Sequence, residues 1–128
     1  MADILENKIE INGTYGDEAT PVTFSSNTVT TTIVRGLTVT KSADKQSWVD
    51  GLLTYTITIN NSSGAKLASG TVMDQLNTTL VNFNTESGVT INGEATSNYT
   101  YSGGVLSVTL PEIADSSTTT IVFKVSLV

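Results

Sequence analysis

Residues 52–61, LLTYTITINN, set Leu53, Tyr55, Ile57 and Ile59 against Thr54, Thr56 and Thr58. Side chains that alternate with period two fit a pleated strand with one buried face, and they do not collect on one face of a helix. The same alternation recurs along the chain, and no long helical period interrupts it. Ile9 and Ile11 oppose Lys8, Glu10 and Asn12 in residues 7–14, and Leu37, Val39 and Lys41 oppose Thr38, Thr40 and Ser42 in residues 37–43. Leu106, Val108 and Leu110 share one face of residues 105–113, and Ile121, Phe123, Val125 and Leu127 share one face of residues 118–128. Residues 22–34 read as a strand bent at 25–27, and residues 68–76 as a strand ending at Asp74. Shorter strands and turns fall in 78–84, 88–94 and 98–104, with turns at 15–21 and 61–66 and a polar connection at 44–51. About nine or ten strands spaced by roughly 8–12 residues predict an all-β antiparallel sandwich, with a barrel as the alternative. A helical turn is expected within residues 74–80.

The 128 residues suit one core, being 38% hydrophobic and only 14% charged. Six basic against twelve acidic residues give a net charge of −6. That balance provides no basic stripe to neutralise phosphates, so nucleic acid and anionic membrane surfaces are poor partners. Histidine and cysteine are both absent. A Ser-His-Asp triad, a thiolate nucleophile, a disulfide framework and the common zinc sites all need one or the other. With few aromatic residues to line a cleft, the expectation is a protein that is not an enzyme and holds no cofactor or metal. The opening MADILENKIE has neither the basic nor the apolar region of a secretory signal.

Residues 37–128 resemble a bacterial surface-repeat module, the domain-of-unknown-function family numbered eleven. The segments that carry the resemblance are LTVTKSADK (37–45), GLLTYTITINN (51–61), VMDQL (72–76) and GGVLSVTLPEIADSSTTTIVFKVSLV (103–128). Asn77 stands where the family often has proline after its Asp-x-Leu, here Asp74 and Leu76. The resemblance implies an immunoglobulin-like sandwich in a cell-surface setting, and no reaction.

In tandem arrays of that family, a strand like TIVFKVSLV is followed by two more, the second of the Ser-Asn-Thr-Val-Thr-Thr kind, before the next module opens. Here the pair stands at the front, in residues 7–34. The expected organisation is therefore an N-terminal donor-type hairpin, residues 1–36, and a sandwich body, residues 37–128. The hairpin either folds back on its own body or completes a neighbour's sheet by strand addition. A donor and an acceptor at different places on one subunit make a heterologous contact, which propagates into a filament unless a ring closes. The expected donor side chains are Ile9, Ile11, Val22, Phe24, Val29, Thr31 and Ile33, with Arg35 and Gly36 as the joint. The expected acceptor edge is the last strand, with Ile121, Phe123 and Val125, because it lacks its usual successor. The partner is then a second copy of the chain. The expected location is extracellular, on a cell or spore surface, since spore appendages released by lysis need no signal peptide. The alternative is a monomeric adhesion or spacer module that binds a host protein or a glycan, favoured by an exposed aromatic patch at Trp48, Tyr99 and Tyr101.

Several residues admit two readings. Lys41 or Lys45 suits an isopeptide bond, or Lys41 lies along the core rim with its ammonium in water; Lys8 or Lys124 suits a bond between subunits. Asp44 and Asp50 suit calcium or, more simply, turn capping. Asp17 and Glu18 read as a solvated turn. Trp48 stacks on a sugar or covers one end of the core. Asn12, Asn61, Asn77 and Asn98 head glycosylation-type triplets that arise by chance in a chain rich in Asn and Thr.

Overall fold

The computed structural model describes residues 3–128. It is all-β, with thirteen strands and no helix among these residues, and it divides into two compact units at Arg35 and Gly36.

The first unit is a long two-stranded ribbon. Strands β1 (Asp3–Asn7) and β4 (Val29–Ile33) pair antiparallel, as do β2 (Glu10–Tyr15) and β3 (Thr20–Ser25). A turn at residues 16–19 closes the tip, with the Ala19 amide donating to the Gly16 carbonyl at 3.1 Å. Asn7 lies opposite Val29 and Glu10 opposite Ser25, so two residues on one arm face three on the other. That mismatch is a β-bulge. It is held by the Ser26 amide on the Ile9 carbonyl at 2.9 Å and by the Ile9 amide on Ser26 Oγ at 3.0 Å. The first strand was not legible as one: DILEN mixes two adjacent apolar residues with three polar ones and shows no alternation.

The second unit holds the core. Its strands are β5 (Leu37–Ala43), β6 (Leu52–Asn61), β7 (Gly70–Gln75), β8 (Val81–Phe83), β9 (Val89–Ile91), β10 (Glu94–Thr96), β11 (Tyr99–Ser102), β12 (Val105–Leu110) and β13 (Ser117–Leu127). One sheet runs β10-β9-β13-β6-β5, with β8 also paired to β13, and the other runs β11-β12-β7. Leu53, Ile57 and Ile59 of β6 and Ile121, Phe123 and Val125 of β13 bury one face of the larger sheet against Leu106, Val108 and Leu110 of β12. Each such side chain contributes roughly 1.5–3 kcal/mol when fully buried. The layered arrangement is sandwich-like. The Leu80 and Val81 amides both donate to the Asn77 carbonyl at 3.0 Å, so residues 77–81 make one helical turn, as expected, that does not extend into a helix.

The last strand is not an edge. β13 pairs with β6 along residues 117–126 on one side, and with β9 and β8 on the other. Ile121, Phe123 and Val125 lie in the middle of the core. The expectation of an acceptor edge at these residues is therefore corrected. A strand that lacks a successor in the chain still finds neighbours in space, because sheet order and chain order differ.

Candidate functional site

The open side of the body lies at β5 and β7. β5 pairs with β6 and ends the larger sheet, while β7 pairs with β12 and ends the smaller one. The register sets Leu37, Val39, Lys41 and Ala43 opposite Asn61, Ile59, Ile57 and Tyr55. Directly opposed residues share a face of the sheet, so this row of β5 turns toward the core side. Yet Val39 is 62% exposed where its partner Ile59 is 2% exposed. All seven residues of β5 are exposed. The larger sheet thus extends one strand beyond the cover that the smaller sheet provides.

Across the gap, Gly70, Val72 and Asp74 of β7 oppose the buried Leu110, Val108 and Leu106, which turns them toward the core as well. Lys41 Nζ meets Asp74 Oδ2 at 2.6 Å, tying the two open strands together, with the ammonium 4.3 Å from the centroid of the Tyr55 ring. The stem of Lys41 therefore does follow the core rim, but its charge is paired. Its partner sits on β7, a placement the alternation of either strand alone does not disclose. The result is a groove with an apolar floor, an unpaired backbone edge on β7 and a charged bridge near one end. Unpaired strand edges are templates for another strand.

The ribbon has an apolar face of its own. In β2 and β3, Ile11 opposes Phe24 and Gly13 opposes Val22, which gives an apolar face. The opposite face is polar, with Thr23 donating to Asn12 Oδ1 at 3.0 Å and Ser25 to Glu10 Oε1 at 3.4 Å. The bulge adds one residue to the second arm and so shifts its parity. Alternation then carries Val29, Thr31 and Ile33 to the same side as Val22 and Phe24, with Ile9 and Ile11 on the first arm. All seven expected donor side chains lie on this face and none is buried: Ile9, Ile11, Phe24, Val29 and Thr31 are exposed, and Val22 and Ile33 half-buried. Leu5 joins this face opposite Thr31, a member that sequence reading missed. At the joint, Arg35 pairs with Asp3 at 3.3 Å within the ribbon unit. Gly36 belongs to the body: its carbonyl accepts from the Ser62 amide at 2.7 Å and the Ser62 hydroxyl at 3.0 Å. Its φ of 82° and the 2.6 Å from an added Cβ to the Ser62 carbonyl oxygen require glycine here.

The remaining candidates take structural places. Asn61 is fully buried, its amide donating to the carbonyls of Ala65, Ile113 and Ala114, and its oxygen accepting from the Ser63 amide and hydroxyl. It pins the β6 turn to the loop before β13, and its amide nitrogen is inaccessible to a glycan in the folded chain. Asn77 caps its own turn by accepting from Thr79. Asp44 accepts from the Thr54 amide at 2.9 Å, a capping role, while Lys45 donates to the Leu52 carbonyl. Trp48 packs on the core rim, its indole N–H buried with no acceptor among the described residues. Tyr99 meets Phe83 edge to face at 5.8 Å, and Tyr101 packs on it at a tilt at 5.2 Å. These three aromatics are half-buried and do not form an exposed patch; the exposed aromatic rings are Tyr15 and Phe24 of the ribbon. A shallow depression of about 380 Å³ beside β10 and β12 is lined by Asn92, Glu94, Asn98 and Thr109 and brings no catalytic set together. No known protein family, no curated protein and no solved structure matches this chain.

Proposed function

We propose that the chain is the structural subunit of an extracellular or spore-surface filament. It polymerises head-to-tail by β-strand donation: the ribbon of one subunit lies along the free edge of β7 and over β5 of the next. The observation that carries this reading is the exposed, core-facing row of β5 beside a smaller sheet that stops at β7. A one-sided apolar ribbon in the same chain has the form to fill it.

Immunoglobulin-like topology supports the placement. In that fold strands A, B, E and D form one sheet and C, F and G the other. If β5, β6, β7 and β13 stand for A, B, C and E, the strand after E belongs beside C in the opposite sheet. The vacancy then falls at β7, and the two ribbon arms supply F and G. This also gives the physical reason why β13 needs no successor beside it. The resemblance to the surface-repeat family points the same way, since its arrays carry such a pair between modules. The reading of a monomeric module that binds a host protein or a glycan loses support from the packing of Trp48, Tyr99 and Tyr101 onto the core.

Negative-stain electron microscopy of the full chain beside a copy lacking residues 1–35 tests the proposal. Filaments are expected from the full chain only. Monodisperse particles from the full chain, or filaments from the shortened one, overturn it.

A further inference from the structure

The groove carries one polar interruption, and a polar pair inside the ribbon's apolar face matches it. In the groove it is the bridge of Lys41 and Asp74, with side chains 41% and 12% exposed. On the ribbon it is Asn7 and Thr31. The register sets Asn7 opposite Val29 and Thr31 opposite Leu5, which makes Asn7 and Thr31 diagonal neighbours among Leu5, Val29 and Ile33, while Asp3 ends the same face opposite Ile33 and is tied to Arg35.

An ion pair covered by a wholly apolar strand loses its water and leaves donors and lone pairs unmet. The 2.6 Å contact engages one oxygen of the carboxylate and one proton of the ammonium. An asparagine amide and a threonine hydroxyl both donate and accept, so they suit both partners of such a pair.

On the strand-donation reading, we propose that Asn7 and Thr31 of the donor ribbon seat on Lys41 and Asp74 of a second copy of this chain. The contact fixes the register of docking and places the β1 and β4 half of the ribbon in the groove. A slip of two residues keeps the apolar face inward but moves Asn7 and Thr31 off the ion pair. The pair then lies under aliphatic side chains, so the slipped register is disfavoured. The polar patch acts as a selectivity device: an apolar strand from another source fits the floor of the groove but not its bridge.

Four full-length proteins test this: the unaltered chain, Asn7→Leu with Thr31→Val, Lys41→Met with Asp74→Leu, and all four changes together. The readout is the lowest concentration at which filaments sediment, with the unfolding midpoint of the unassembled chain as control. Each pair of changes is expected to raise that concentration about tenfold, and the fourfold variant to return within about threefold of the unaltered chain. Multiplied effects near a hundredfold, or no change in either pair, overturn the pairing. If the groove variant unfolds, the ribbon variant alone decides, because its positions lie outside the core; unchanged assembly there overturns the pairing. Absence of filaments from the unaltered chain is a different result, which removes the strand-donation reading itself.

Discussion

The ribbon and the body are written in the same alternating code but meet different fates. Phe24 and Phe123 each sit at a core-type position of a strand, and they are 63% and 1% exposed. The ribbon is a single layer: its apolar face has no second layer within its own unit, and every residue of β1 and β2 is exposed. The body is two layers, and its apolar faces close on each other. Isolated two-stranded ribbons are marginal in water, because ordering the chain is costly and little area is buried in return. The difference teaches that alternation specifies a face and says nothing of what covers it.

Four substitutions break or sharpen that contrast, measured by urea unfolding of the unassembled chain. Phe123→Ala removes a ring packed between Tyr55 and Phe83, and is expected to cost about 3–5 kcal/mol. A loss below about 1 kcal/mol shows that the body is not the cooperative core described above. Asn61→Ala removes the amide that joins the carbonyls of Ala65, Ile113 and Ala114 and empties a buried site; the Ile113 carbonyl keeps the Leu67 amide and the Ala114 carbonyl the Ser117 hydroxyl, so the expected loss is about 1–3 kcal/mol. Retained stability shows that water replaces the amide and that the pin is dispensable. Gly36→Ala forces a Cβ against the Ser62 carbonyl and is expected to cost about 1–2 kcal/mol. A neutral result indicates that the joint moves away from Ser62 freely. Phe24→Ala, in the ribbon, is expected to shift unfolding by less than about 0.5 kcal/mol. A loss as large as that of Phe123→Ala shows that the ribbon is already packed before assembly, and erases the contrast.

Much of the body was legible. The runs around Ile57, Val108 and Phe123 have core residues at every second position, and β6, β12 and β13 follow them closely. The apolar row of residues 37–43 was equally legible, but its exposure was not, since a strand does not record how far the opposite sheet extends. β1 was missed because DILEN becomes a strand only through pairing with β4. β13 was expected at an edge for the converse reason: it ends the chain order, while β10 and β5 end the order of its sheet.

The sequence by itself determined that this chain is all-β, which side chains share a face, and that acid-base chemistry by histidine or cysteine is closed to it. Those properties follow from residue type and period two, which act locally. Only the tertiary structure decided which strands are interior, that Lys41 and Asp74 meet, and that a bulge of one residue turns Val29, Thr31 and Ile33 to the side of Val22 and Phe24. Those outcomes depend on pairing between segments far apart in the chain, and the free energy that selects among pairings comes from the faces they bury together.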